Sequence, residues 1–120
     1  MAFIVVVDDD PDVVDLVVMI LKPMHEVVGL TQPNEALSLI RERSVDLLIT
    51  DVRMPDQNGF TLIERAKGWK PALAVVVMST YYDDKDEASR RIVKEYAPVA
   101  LPKPLSRVMV THAVNTALAL

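Results

Sequence analysis

The chain has 120 residues, no cysteine and a net charge of −4 at neutral pH, which suits one domain with a single core and excludes disulfides and thiol chemistry. A hydrophobic fraction of 51% excludes an intrinsically disordered chain. No apolar run approaches the ~20 residues of a membrane span and no basic block favours nucleic-acid binding, so we expect a cytoplasmic protein with neither kind of partner.

Apolar runs alternate with helical stretches along the whole chain. The predicted strands lie at 3–7, within 25–30, and at 45–50, 74–78 and 99–101. The predicted helices span 11–21, 33–43, 59–67, 83–96 and 105–118. This alternation indicates right-handed crossovers and a doubly wound parallel α/β sheet, formed by one domain over residues 1–120.

Three acidic residues follow the first predicted strand. That strand is so apolar that it indicates burial on both faces, and its carboxyl end delivers Asp8 and Asp9 to the crevice where such sheets bind ligands. Adjacent carboxylates repel one another, and oxygen-only ligation suits Mg²⁺. The alternative is that the acids only cap the next helix. That reading fits Asp10, which precedes Pro11.

Further polar residues follow the other predicted strands. They are Asp51 after the third strand, Ser79 and Thr80 after the fourth, and Lys103 after the fifth. Because the carboxyl ends of parallel strands meet at one edge, we expect carboxylates, a hydroxyl and an ammonium to converge there. Such a set is suited to placing a phosphoryl group on a carboxylate.

With these motifs in order, the chain resembles the receiver domain of bacterial two-component response regulators over essentially its whole length. The motifs are the pair Asp8-Asp9, the Asp51-x-x-Met54-Pro55-x-x-x-Gly59 segment, Ser79, and Lys103-Pro104. The resemblance implies a flavodoxin-like sheet of five strands in the order 2-1-3-4-5, flanked by five helices. It also implies a signalling domain that promotes only its own phosphorylation and dephosphorylation.

The resemblance assigns a role to each motif residue. Asp51 would accept phosphate from a histidine kinase or a histidine phosphotransfer protein. Mg²⁺ would be bound directly by Asp9 and Asp51, with Asp8 assisting through water and the Arg53 carbonyl as a further ligand. Lys103 would hold the phosphate, and Ser79 would be the switch hydroxyl.

The chain departs from the family pattern around the switch. Ala100 occupies the position of the switch aromatic, and Thr80 replaces a smaller residue. Because Ala100 has no ring to move, we expect the response to run through Ser79, Thr80 and Tyr81 and the helix that follows.

Three other functions remain open at this point. A degenerate receiver would act as an interaction module without phosphorylation. A small phosphatase of the haloacid-dehalogenase type would use Asp8 as nucleophile, although Pro11 departs from its motif. A flavin or nucleotide binder would need an anion-binding loop after the first strand, where an acidic loop repels phosphate.

The first and last helices carry more apolar residues than one buried stripe needs. We therefore expect most of these residues to be core and the surplus to form an exposed apolar patch that docks a kinase helical bundle or a second copy of the chain. Val17 tests this patch if it faces outward. His25 and His112 lack partners at ligand spacing. Trp69 is expected to pack at the sheet edge opposite the acids.

Overall fold

The computed structural model describes residues 1–52, 59–79 and 99–119, with Ser79 described by its backbone alone. Its centre is a five-stranded parallel sheet in the order β2-β1-β3-β4-β5, which confirms the predicted topology. The strands are β1 (Phe3–Val7), β2 (Glu26–Leu30), β3 (Leu47–Asp51), β4 (Ala74–Ser79) and β5 (Val99–Pro102).

Four helices cover the sheet in the described part of the chain. They are α1 (Pro11–Leu21), α2 (Pro33–Glu42), α3 (Gly59–Trp69) and α4 (Arg107–Ala119). The helix predicted at 83–96 lies outside the described residues. The last helix begins two residues later than predicted, because the Ser106 hydroxyl accepts the Met109 N–H at 3.2 Å and forms its cap.

The sheet has an apolar layer on each face. Alternate residues of β1 point to opposite sides, so Phe3, Val5 and Val7 join the core beneath α2 and α3. Ile4 and Val6 join the core beneath α1 and α4. Every residue of β1 and β3 is therefore buried, which explains why these strands are continuous apolar runs.

Val17 does not face outward, so it is not a position that can test the expected apolar patch. Its side chain is 0% exposed and belongs to the core between α1 and the sheet. α1 contacts both the sheet and α4. Its buried face is therefore wider than that of a helix that packs against a sheet alone. Met19, two residues further on, is 58% exposed and carries the apolar surface of this helix.

Trp69 ends α3 and is 46% exposed, so it lies at the surface instead of within the core. The Arg41 guanidinium stacks over its ring at 5.6 Å from the centroid. In the three described segments, no helix has the length and apolarity needed to cross a membrane.

Candidate functional site

The candidate site lies at the carboxyl edge of the sheet, between β1 and β3. Val7 pairs with Thr50, so the next residues, Asp8 and Asp51, lie side by side at the carboxyl ends of β1 and β3. β2 lies on one side of β1 and β3 on the other, so the chain changes winding direction here. Open α/β sheets bind ligands at this kind of crevice.

Asp8, Asp9 and Asp51 each offer a carboxylate oxygen, and these oxygens lie within 4.8 Å of one another. Carboxylate oxygens gathered this closely could all act as ligands of one Mg²⁺ ion. Asp8 is 0% exposed and Asp51 is 7% exposed, whereas Asp9 faces solvent. The donor set is all oxygen and open on one side, which fits a hard divalent cation that keeps part of its water.

Lys103 is the cation of the described site. Its Nζ lies 2.8 Å from Asp8 Oδ2 and 3.6 Å from Asp51 Oδ2. One ammonium leaves three clustered carboxylates with excess negative charge, which a divalent ion would neutralise. Lys103 reaches the site because β5 ends beside β4, which lies next to β3.

The crowding of charge shifts the pKa of two groups. Loss of hydration raises the pKa of Asp9 even though it faces solvent, and the hydrogen bond and charge of Asp8 raise it further, as does the charge of Asp51. For Lys103, burial lowers the pKa, but the hydrogen bond and charge of Asp8 and those of Asp51 together outweigh burial and raise it. In both groups the negative charges of Asp8 and Asp51 favour the protonated form.

Asp8 and Asp10 have separate tasks. The Asp10 N–H donates to Asp8 Oδ1 at 2.9 Å, so both oxygens of Asp8 are engaged once Lys103 is counted. Asp10 Oδ1 accepts the Asp12 N–H at 2.9 Å, which caps α1. The helix-cap interpretation is therefore confirmed for Asp10, while Asp8 and Asp9 lie together with Asp51.

The predicted switch residues are only partly described. Ser79 ends β4 opposite Pro102, and its side chain lies outside the described residues. Arg53, Thr80 and Tyr81 also lie outside them. Ala100 is exposed on β5, opposite Val77.

The two histidines lie apart from the acids. The Ala2 N–H donates to His25 Nδ1 at 3.1 Å at the opposite end of β1, and His112 is exposed on α4. Sequence reasoning missed a contact of Gly59, which had been treated only as part of a motif. Its N–H donates to the Val52 carbonyl at 3.0 Å, directly beside Asp51.

Comparison with known proteins gives a consistent result. A model of the response regulator receiver domain family matches residues 4–115. The two-component response regulator ORR21 of Oryza sativa subsp. indica is 34% identical over 105 residues, which cover 85% of this chain and 15% of that protein. A response regulator receiver protein of Anaeromyxobacter is 34% identical over 103 residues, covering 84% of this chain and 42% of that protein.

The fold is also shared with solved structures. The crystal structure of a CheY-like response regulator receiver domain protein from Methanospirillum hungatei superimposes with a TM-score of 0.90. Sequence identity is 23%, and the match covers 99% of this chain and 94% of that one. This likeness concerns the fold. The chain spans less than half the length of the two relatives named above.

Proposed function

Since this chain belongs to the response regulator receiver domain family, we propose that Asp51 accepts a phosphoryl group in a Mg²⁺-dependent reaction. The donor would be the phosphohistidine of a histidine kinase or of a histidine phosphotransfer protein, in the cytoplasm. The main support for this proposal is the arrangement of four side chains. Carboxylate oxygens of Asp8, Asp9 and Asp51 lie within 4.8 Å of one another, and the Lys103 ammonium lies 3.6 Å from Asp51.

To promote phosphoryl transfer, the protein needs mainly to position the reacting groups and to stabilise their negative charge. One Asp51 oxygen forms a bond to phosphorus while the bond from phosphorus to the donor nitrogen breaks, and that nitrogen keeps the electron pair. Lys103 stabilises the negative charge on the transferring group. A Mg²⁺ ion held by Asp9 and Asp51 would neutralise the negative charge on the phosphoryl oxygens. The domain would act as a signalling module and not as an enzyme on other substrates.

Exposure distinguishes the three carboxylates. Asp9 faces solvent and suits direct capture of an incoming metal ion. Asp8 is fully buried and anchors Lys103, which suits indirect assistance to the metal. Asp51 lies between these two, with its side chain 10% exposed, enough for a donor to approach. The roles of the Arg53 carbonyl as a metal ligand and of the Ser79 hydroxyl as a switch are proposed from the family pattern alone.

A haloacid-dehalogenase-type phosphatase would need Asp8 as the nucleophile. Both of its oxygens already accept hydrogen bonds, from Lys103 and from the Asp10 N–H, and the residue is 0% exposed. The described geometry therefore favours Asp51 as the acceptor.

Incubation with acetyl phosphate and Mg²⁺ tests the assignment. The intact mass of the protein should increase by one phosphoryl group, and Asp51→Asn should abolish the gain. Asp10→Asn is the matched control, because it removes a neighbouring charge while keeping the helix cap. Phosphate that persists on the Asp51→Asn protein would refute the proposal.

A further inference from the structure

Gly59 lies against the backbone of Asp51. It is the first residue of α3, and its N–H donates to the Val52 carbonyl at 3.0 Å. β3 ends at Asp51, so this bond joins the start of α3 to the residue that follows the strand.

No side chain fits at this position. A Cβ on Gly59 would overlap the carbonyl oxygen of Asp51, and it would lie 2.8 Å from Val52 Cα and 2.9 Å from the carbonyl carbon of Asp51. All three atoms belong to the backbone, so no rotamer change can relieve the overlap. Gly68, near the other end of the same helix, has nothing within 4 Å of its Cβ position.

We propose that Gly59 is a positioning residue for Asp51: its missing side chain lets the start of α3 seat against the Asp51 carbonyl and so fixes the carboxylate. This inference rests on the proposed role of Asp51 as phosphoacceptor.

The Asp51 backbone is held from several sides. Its carbonyl also accepts the Thr50 hydroxyl at 2.9 Å, and Asp51 pairs with Met78 at the end of β4. Gly59, at the start of α3, packs against the same backbone from a further side. A Cβ there requires Asp51 or the start of α3 to shift, and any shift of Asp51 changes its distance to Asp8, Asp9 and Lys103. Displacement of a reacting group by about 1 Å costs up to a hundredfold in rate.

The test compares Gly59→Ala with Gly68→Ala in the intact chain. Both variants make the same chemical change in the same helix, and only the first meets the Asp51 backbone. We expect Gly59→Ala to lower the rate of phosphorylation by saturating acetyl phosphate about tenfold or more, and to weaken Mg²⁺ binding. Gly68→Ala should stay within about twofold of wild type, because helix propensity alone does not move Asp51.

Two further readouts separate positioning from loss of fold. Rates are measured well below the melting temperature of each variant, where the folded fraction is equal. Backbone amide chemical shifts of the metal-free proteins should change at Thr50, Asp51 and Val52 in Gly59→Ala only. If Gly59→Ala does not fold, the Gly59→Ala/Gly68→Ala double variant takes its place, because the second change adds helix propensity that offsets part of the lost stability.

Each outcome decides a separate question. A wild-type protein that takes no phosphate would refute the proposed function, while metal affinity and amide shifts would still test Gly59. A phosphorylated wild type with equal behaviour in the two variants would refute the positioning role and leave the proposed function standing. If neither Gly59→Ala nor the double variant folds, Gly59 serves the fold as a whole and the positioning role is wrong.

Discussion

The Asp8–Lys103 ion pair joins residues that are 95 positions apart in the chain. Asp8 is fully buried, and the Lys103 side chain is 15% exposed. The stability of a buried ion pair depends on both members, because removing one of them leaves the other charge buried and uncompensated.

We therefore expect Lys103→Met to lower the unfolding free energy of the metal-free protein by about 3 kcal/mol, near the lower end for a broken buried pair. Adding Mg²⁺ should raise the melting temperature of this variant more than that of wild type, since the ion replaces the lost positive charge. Denaturant melts with EDTA and with Mg²⁺ measure both effects. Lys22→Met is the control, because Lys22 is exposed at the end of α1. Equal losses in the two variants would contradict the expectation.

The raised pKa of Asp9 predicts how stability varies with pH. The folded state holds the Asp9 proton more tightly than the unfolded state, where the pKa is near 3.8. The stability from this group is therefore fully present below pH 3.8 and is lost as the pH rises through the higher folded value.

Asp9→Asn should thus stabilise the metal-free protein at neutral pH, and the gain should shrink as the pH falls toward 4. Thermal melts in EDTA over a pH series measure the difference from wild type. With Mg²⁺ the order should reverse, because the wild type gains a ligand that the variant lacks. A gain that does not vary with pH would mean that Asp9 acts through something other than its charge.

The sequence predicted which residues gather at the site but not how they pair. Asp8, Asp9, Asp51 and Lys103 all stand at strand ends, and strand topology alone brings strand ends together. That Lys103 lies closer to Asp8 than to Asp51 depends on side-chain packing across three strands, which no local pattern encodes. The contact of Gly59 with Asp51 was missed for the same reason.

At the scale of elements, α1 shows where pattern reasoning failed. The pattern indicated that most of its apolar residues are core and that a surplus is exposed, but it could not tell which ones. Val17 belongs to the core, whereas Met19 is exposed. The boundaries of the four described helices were predicted to within about two residues, which is the usual disagreement at helix ends. The start of α4 depended on the Ser106 cap, a signal present in the sequence and not used.

Two substitutions in α1 separate core from surface. Val17→Glu should destabilise the domain by about 4 kcal/mol or more, because it buries an unpaired charge in a fully enclosed position. Met19→Glu should leave the unfolding free energy within about 0.5 kcal/mol of wild type, because Met19 is 58% exposed. Circular dichroism melts of both variants provide the measurement. A folded Val17→Glu protein would contradict the burial of this face.

At the scale of the whole molecule, the proposed response to phosphorylation involves mainly residues that lie outside the described part of the chain. With beryllofluoride and Mg²⁺ in place of the phosphoryl group, we expect amide exchange to change most across residues 79–96. Little change is expected around Ala100, whose exposed methyl group has no ring to reorient. Exchange measured by mass spectrometry with and without beryllofluoride tests this. A dominant change at residues 98–101 would mean that the family's usual switch operates here without its aromatic residue.

The outer strands of the sheet also bear on how the molecule behaves at high concentration. β5 has four residues and ends in Pro102, which has no N–H to offer an incoming strand. β2 begins with the exposed Glu26, whose carboxylate pairs with Arg43 at 3.5 Å. A short edge with a proline and an edge with charges are poor templates for another chain's strand. Crowded solutions, or tandem fusions of this domain, should therefore resist sheet-to-sheet aggregation although half of the residues are hydrophobic.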